Sequence, residues 1–259
     1  MSNQADAVPS PAELDLTVTG APADVSEYVR SKIGGLTRYP ITRGRVRLKQ
    51  RGHADHGCAV TAQGNFEVHG RVVRAQVGAG SMREAIDKLE ARMRRRLADV
   101  CALREPSRGP AAAPPWRHGT DSPTPLPRMS DTARIVRRKS YAMAPCSVDD
   151  AVIEMTLLDY RFHLFNEIGS GTAAVVYHGG PTGLRLALVT PDVAGELADF
   201  TELVTISPHR VPCLREDAAI QRLDVLKLPF VFFIDAAQGR ASVLYRRLDG
   251  DLAMITPAG

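Results

Sequence analysis

The C-terminal half of this chain repeats itself, and the repeat limits what the chain can fold into. Pro145–Pro191 reads PCSVDDAVIEMTLLDYRFHLFNEIGSGTAAVVYHGGPTGLRLALVTP, and Pro212–Pro257 reads PCLREDAAIQRLDVLKLPFVFFIDAAQGRASVLYRRLDGDLAMITP. Matching Pro145–Cys146 to Pro212–Cys213 gives an offset of 67 through the first helix, with Asp150 on Asp217. A shift to 68 then sets Phe162 on Phe230 and Tyr177 on Tyr245, and an offset of 66 sets Pro191 on Pro257. Each copy predicts a short capped helix followed by three strands joined by glycine-containing turns. A unit of ~45–60 residues is marginal as an independent fold, so each copy is expected to bury its sheet against the other. Phe162, Phe165, Phe230, Phe233, Tyr177 and Tyr245 are the expected core between the copies.

A second constraint is proline. Arg104–Arg128 contains seven prolines among Ala, Gly, Ser and Thr, which cannot build a core and predict a semi-extended linker. The chain then divides into residues 1–103, a Pro-rich linker 104–130, a first C-terminal module 131–191 and a second 192–259. Within the first part, Glu13–Gly20 alternates apolar residues as a strand does. Asp24 is a candidate cap for a helix Val25–Tyr39, whose Val25, Val29, Ile33 and Leu36 share one face. Arg45–Arg51, Cys58–His69 and Arg71–Val77 read as strands. Ser81 with Glu84 forms a capping box for a helix Ser81–Leu103. The fold class is therefore α+β: a β-α-β-β-β-α sheet with two helices on one face, then the linker, then a pair of α-β-β-β modules forming a pseudo-dimer.

Charge is unevenly spread. Residues 1–103 carry 16 Lys/Arg against 11 Asp/Glu, residues 104–140 carry 8 against 3, and residues 141–259 carry 9 against 15. A basic front half and an acidic back half suggest that the first meets nucleic acid. Its second helix carries a stripe of Lys88, Arg92, Arg95 and Arg96 at three- and four-residue steps, a row of donors suited to phosphates. The strand residues Arg45, Arg47, Lys49 and Arg51, with Arg71, Arg74, Arg30 and Lys32 elsewhere, add to it. Against this stands a solvated helix face paired with Glu84, Asp87 and Glu90.

No motif points to catalysis. His53, His56 and Cys58 lack a second ligand pair at metal-binding spacing, so a polar hairpin loop is expected. Gly34–Gly35 and Gly179–Gly180 lack the context of a phosphate loop and read as helix-end and turn glycines. The acid pair Asp149–Asp150, echoed at Glu216–Asp217, fits the first turn of a helix. Four cysteines without a C-x-x-C suggest reduced thiols. The segment MSNQADAVPSPAELD lacks the basic start and apolar stretch of a secretory signal, and no apolar run is long enough to span a membrane. A cytoplasmic location, no membrane, no metal and no cofactor are expected.

Leu16–Gly20 (LTVTG), the helix running to Leu36–Tyr39 and Gly80–Leu97 (GSMREAIDKLEARMRRRL) make the first module resemble the N-terminal domain of the ribosome hibernation-promoting factors. Arg134–Phe165 resembles the start of the C-terminal domain of that family's long form. Val175–His178 and Val243–Pro257 resemble its closing hairpin. The resemblance implies an N-terminal domain lying on the small ribosomal subunit, in the path of messenger and transfer RNA, and inhibiting translation under stress without catalysis. The implied partners are small-subunit ribosomal RNA and ribosomal proteins. Carried over by position, Lys32, Lys88, Arg92, Arg95 and Arg96 are the expected RNA contacts. The long form ordinarily has one C-terminal module, which pairs with that of a second copy and joins two ribosomes. This chain has two, and so is expected to be a monomer that holds single ribosomes. The alternative is a stress-induced RNA-binding regulator acting off the ribosome.

Overall fold

The computed structural model describes residues 15–50, 59–102, 129 and 134–258. The expected linker 104–130 lies almost wholly outside the described residues, as do His53, His56 and Cys58. Two compact units divide the chain, one drawn from residues up to Pro110 and the other mainly from Ala111–Gly259.

The first unit runs β1 (Asp15–Thr19), α1 (Ala23–Gly34), β2 (Ile41–Gln50), β3 (Val60–Val68), β4 (Arg71–Ala79) and α2 (Met82–Ala102). The sheet order is β1-β2-β3-β4. β1 lies parallel to β2, as the crossover through α1 requires, and β2–β3 and β3–β4 are antiparallel. His69 and Gly70, both at positive φ, make the two-residue turn between β3 and β4. Alternation then sorts the side chains. Val46, Leu48, Ala62, Phe66, Val73, Ala75 and Val77 point to the helix side and are buried with Val29, Ile33, Ile86, Leu89, Met93 and Leu97. Phe66 fits because two strand positions beside it have no side chain. A Cβ on Gly44 would lie 2.7 Å from its ring, and one on Gly64 would lie 2.8 Å from it.

α2 begins as its sequence predicts. The Glu84 N–H donates to Ser81 Oγ at 3.2 Å, and the Gly80 N–H donates to Glu84 Oε2 at 2.9 Å. α1 departs from expectation. It starts after Pro22 with no side-chain cap, leaves Asp24 in its first turn, and ends at Gly34. The chain continues to Tyr39 in turns whose N–H groups reach back three residues, so Leu36 is buried without being helical.

The second unit runs β5 (Ile135–Tyr141), β6 (Pro145–Cys146), α3 (Val148–Leu157), β7 (Phe162–Glu167), β8 (Ala173–His178), β9 (Leu184–Leu188), a 3-10 turn Pro191–Glu196, β10 (Thr205–Ile206), β11 (Cys213–Leu214), α4 (Glu216–Val225), β12 (Phe230–Asp235), β13 (Arg240–Arg246) and β14 (Leu252–Pro257). These strands form two five-stranded sheets, β10-β9-β8-β7-β6 and β11-β12-β13-β14-β5. Each copy therefore has the expected helix and three antiparallel strands, plus short strands the sequence did not reveal.

The structural repeat has one offset throughout, 68: β7 matches β12, β8 starts at Ala173 and β13 at Ala241, and β9 starts at Leu184 and β14 at Leu252. This corrects the sequence alignment at both ends. The two Pro-Cys dipeptides are not equivalent. Cys146 matches Leu214, the N-cap Ser147 matches Arg215, and the fully buried Ala151 and Met155 match Ala219 and Leu223. Identical dipeptides misled the alignment because helix register is set by which side chains face the core.

The leading strands are exchanged. β5 precedes the first copy in the chain but lies parallel to β14 of the second, with Arg137 beside Ala253 and Lys139 beside Ile255. β10 precedes the second copy but lies parallel to β9 of the first, with Thr205 beside Arg185. Each copy thus receives its outermost strand from the segment leading into the other. α3 packs on β7 and β8, and α4 packs on β12 and β13. The sheet faces away from the helices meet in one core that includes Phe162, Leu164, Val175, Phe232 and Val243.

Candidate nucleic-acid interface

In the first unit the helices cover one face of the sheet, and the other face presents polar side chains in register across four strands. One row runs Thr17, Arg45, Asn65, Arg74. The next runs Thr19, Arg47, Gln63, Gln76, and a third holds Lys49 beside Thr61. Arg45, Arg47 and Lys49 are exposed, while Gln63, Asn65, Arg74 and Gln76 are half-buried. A shallow groove lined by Thr17, Thr19, Arg45, Arg47 and Lys49 runs along β1 and β2. Arg74 is oriented by side-chain amides: it donates to Gln76 Oε1 at 2.7 Å and to Gln63 Oε1 at 3.3 Å. Among the described residues of this face, carboxylates enter at the far row, where Asp15 lies beside Arg43 and Arg43 beside Glu67.

On the helix side, charges of both signs are paired. Lys32 Nζ lies 2.8 Å from Asp87 and 5.3 Å from the centre of the Tyr28 ring. Its hydrogen bonds to Asp87 and Tyr28 hold the Lys32 ammonium above its usual range, and the Asp87 carboxyl is held correspondingly low. Lys88 Nζ lies 2.7 Å from Glu84, and Arg94 pairs with Glu90. Arg92 is only 9% exposed, Arg96 is half-buried, and Arg95 is exposed. The expected stripe Lys88, Arg92, Arg95 and Arg96 is thus not uniformly exposed, and Lys32 stands apart from it on α1. A helical stripe of long side chains need not be solvent-facing along its whole length when the helix lies on a sheet and beside a second helix.

The sequence reading ranked these strand cations behind the helix stripe. The signal was there in the alternation Arg45, Arg47, Lys49. What alternation could not supply was register, which brings Arg74 from β4 into the same surface.

In the second unit, Phe162 and Phe230 are equivalent residues whose ring centres lie 4.7 Å apart. Phe162 meets Tyr245 edge-on at 5.4 Å, and its equivalent Phe230 meets Tyr177 edge-on at 5.2 Å. The contacts repeat as a local two-fold axis requires. Phe165 and Phe233 do not join them. A strand turns alternate residues to opposite faces, so Phe165 packs with Met155 beneath α3 and Phe233 packs with Leu223 beneath α4.

The acidic helix starts serve the same architecture. Asp149 accepts from the Thr201 N–H at 3.0 Å and the Glu202 N–H at 2.9 Å, holding the inter-copy segment. Glu216 takes a two-pronged pair from Arg138 of β5 at 2.7 and 2.8 Å. Within the Val243–Pro257 hairpin, the run Arg246–Arg247–Leu248–Asp249–Gly250 holds the fold together. Arg246 donates to the Leu223 carbonyl near the end of α4, and Arg247 pairs with Asp249 in the turn before β14. Among the described residues, no group of three or more His, Cys, Asp or Glu is placed to hold a metal, and no helix is long and apolar enough to cross a membrane.

Comparison with known proteins agrees along most of the chain. The family model "Sigma 54 modulation protein / S30EA ribosomal protein" matches residues 19–100. The model of the Sigma 54 modulation/S30EA ribosomal protein C terminus matches twice, at 130–186 and 200–253, each span taking in one leading strand. A protein of Mycobacterium tuberculosis named "Dormancy associated translation inhibitor" is 35% identical over 229 residues, which is 85% of this chain and 78% of that protein. A "Ribosome hibernation promotion factor" of Deinococcus radiodurans is 31% identical over 166 residues, covering 58% of this chain and 84% of that protein. One of the same name from a Picosynechococcus species is 26% identical over 171 residues, 60% of this chain and 86% of that one. The chain belongs to the Sigma 54 modulation/S30EA ribosomal protein family, in a long form that carries the C-terminal domain twice.

Proposed function

We propose that this protein is a cytoplasmic ribosome hibernation factor, which binds the small ribosomal subunit in the path of messenger and transfer RNA and inhibits translation under stress. The relatives named as a translation inhibitor and as hibernation factors support the ribosome as target. The cations of the first unit support a contact with ribosomal RNA. In a channel walled by RNA, both layers of this unit can meet phosphate, the sheet through Arg45, Arg47 and Lys49 and the helices through Lys32, Lys88, Arg95 and Arg96. Inhibition is by occupancy, and needs no catalysis and no cofactor.

The observation that carries the reading furthest is the closure of the Phe162–Phe230 core inside one chain. A surface that would otherwise recruit a second copy is already covered, which favours a monomer on single ribosomes. Co-sedimentation of the full-length protein with purified small subunits tests the target. Binding should fall steeply with salt, because phosphate contacts release counterions. Replacing Lys88, Arg95 and Arg96 with Ala should weaken it further. A protein that sediments free of small subunits at low salt, and leaves cell-free translation unaffected, refutes the proposal.

A further inference from the structure

The open face of the first sheet has two marked features. Along three successive rows it sets Arg45 with Arg74, then Arg47, then Lys49, and no carboxylate stands in those rows. The second feature is the lack of rings. Among the described residues no aromatic side chain stands on this face; the sheet's Phe66 is fully buried on the helix side.

Those two facts decide between kinds of RNA. Single strands held on a sheet are gripped by aromatic side chains on which splayed bases stack. This face offers Thr, Gln and Asn in those places, flanked by guanidinium groups. It suits a ligand whose bases are already stacked and whose phosphates and 2′-hydroxyls lie outward. Residues two apart on an extended strand are separated by about 6.8 Å, of the order of the distance between neighbouring phosphates along one RNA strand. The side-chain amides that orient Arg74 hold a planar donor at the level of Arg45, so the cations form a patch that spans β2 to β4, with Asn65 of β3 between them. Thr17 and Thr19 beside Arg45 and Arg47 add hydroxyls along the groove wall.

From this we infer that the open sheet face grips the backbone of double-helical RNA and reads shape and charge, not base sequence. The inference rests on the ribosomal reading and names the RNA element that this face takes. It also separates the face from the messenger: a single-stranded RNA is the wrong shape for it.

The test uses the full-length protein and two fluorescent probes of equal length, a blunt RNA hairpin and an oligouridine, titrated at several salt concentrations. The hairpin should bind on the order of 10-fold tighter than the oligouridine, with little change when its base pairs are permuted. The triple variant Arg45→Thr, Arg47→Thr, Lys49→Thr keeps strand-forming residues at exposed positions. It should lose hairpin affinity on the order of 10- to 100-fold and flatten the salt dependence by about two to three contacts. Its thermal midpoint, measured alongside, should match that of the wild type. Oligouridine binding more tightly than hairpin overturns the inference. So does a folded triple variant with wild-type hairpin affinity, and if the wild type still sediments with small subunits, the ribosomal reading survives that result. A protein that binds neither hairpin nor small subunits removes both.

Discussion

Gly44 stands opposite Phe66 across the β2–β3 ladder, and a Cβ there would also come within 3.1 Å of Leu16. Gly44→Ala should therefore overpack the first core and cost about 1–3 kcal/mol, read as a lower urea midpoint of the first unit with the second unchanged. The Glu167 side chain is fully buried, yet its carboxylate accepts from the N–H groups of Gly169 at 3.0 Å, Ser170 at 2.7 Å and Ala198 at 3.1 Å. Burial alone would raise its pKa, but these donors outweigh it and hold the carboxyl below its usual range. His163 is shifted by burial too, downward, with Glu154 at 3.0 Å pulling the other way. Both groups bind protons more weakly folded than unfolded, so both make stability fall on acidification. Their windows differ: the His163 part is lost as pH drops below about 6.5, and the Glu167 part below about 4.3. Urea unfolding of His163→Gln should show a smaller loss of stability between pH 7.5 and 5.5 than the wild type. An unchanged loss would mean that other groups carry the acid sensitivity in that window.

At the scale of elements, the long amphipathic pieces were legible and the short exchanged ones were not. α2 announced itself by Ser81, Glu84 and the Ile86, Leu89, Met93, Leu97 stripe, and β7, β8, β12 and β13 by apolar runs between glycine turns. β6, β10 and β11 are two residues each, too short for any period to show. β5 has a sequence, IVRRKSY, that reads as a basic stretch, because its partner strand lies more than a hundred residues away and parallel pairing leaves no turn signal. The aromatic set was legible as a set, but its division between faces followed only from counting strand residues in twos. The exchange of β5 and β10 has a consequence that hydrogen exchange can measure. Deleting residues 130–141 should strip β14 of its neighbour, so the amides of Leu252–Thr256 should lose protection by at least about 10-fold. The amides of Leu184–Leu188 in β9 should keep theirs, since β10 still lies beside them. Loss of protection in β9 with β14 intact would show that β5 completes the first copy, and that the strands are not exchanged.

For the whole molecule, the duplication changes what a C-terminal module can do for its chain. A single module with an open sheet face gains by finding another, and here the two-fold contacts Phe162–Tyr245 and Phe230–Tyr177 cover that face within one chain. When both modules are tethered, the local concentration of one about the other is of order mM, well above what a freely diffusing second chain supplies. Reciprocal strands strengthen the preference: separating the copies exposes the aromatic core, and must also break the ladder between β5 and β14 and the Arg138–Glu216 pair. The full-length protein should accordingly run as a monomer by light scattering. On a sucrose gradient it should co-migrate with single ribosomes without creating a faster ribosome-dimer peak. Replacing Phe162 and Phe230 together with Asp should open the pair and leave the first unit able to bind, so ribosome association should persist while the second unit loses protection from proteolysis. The opposite gradient is just as readable. A ribosome-dimer peak that appears with the wild-type protein and vanishes when residues 192–259 are removed would mean that the copies pair between chains, with the 3-10 turn and the rest of the inter-copy segment serving as the hinge of a swap.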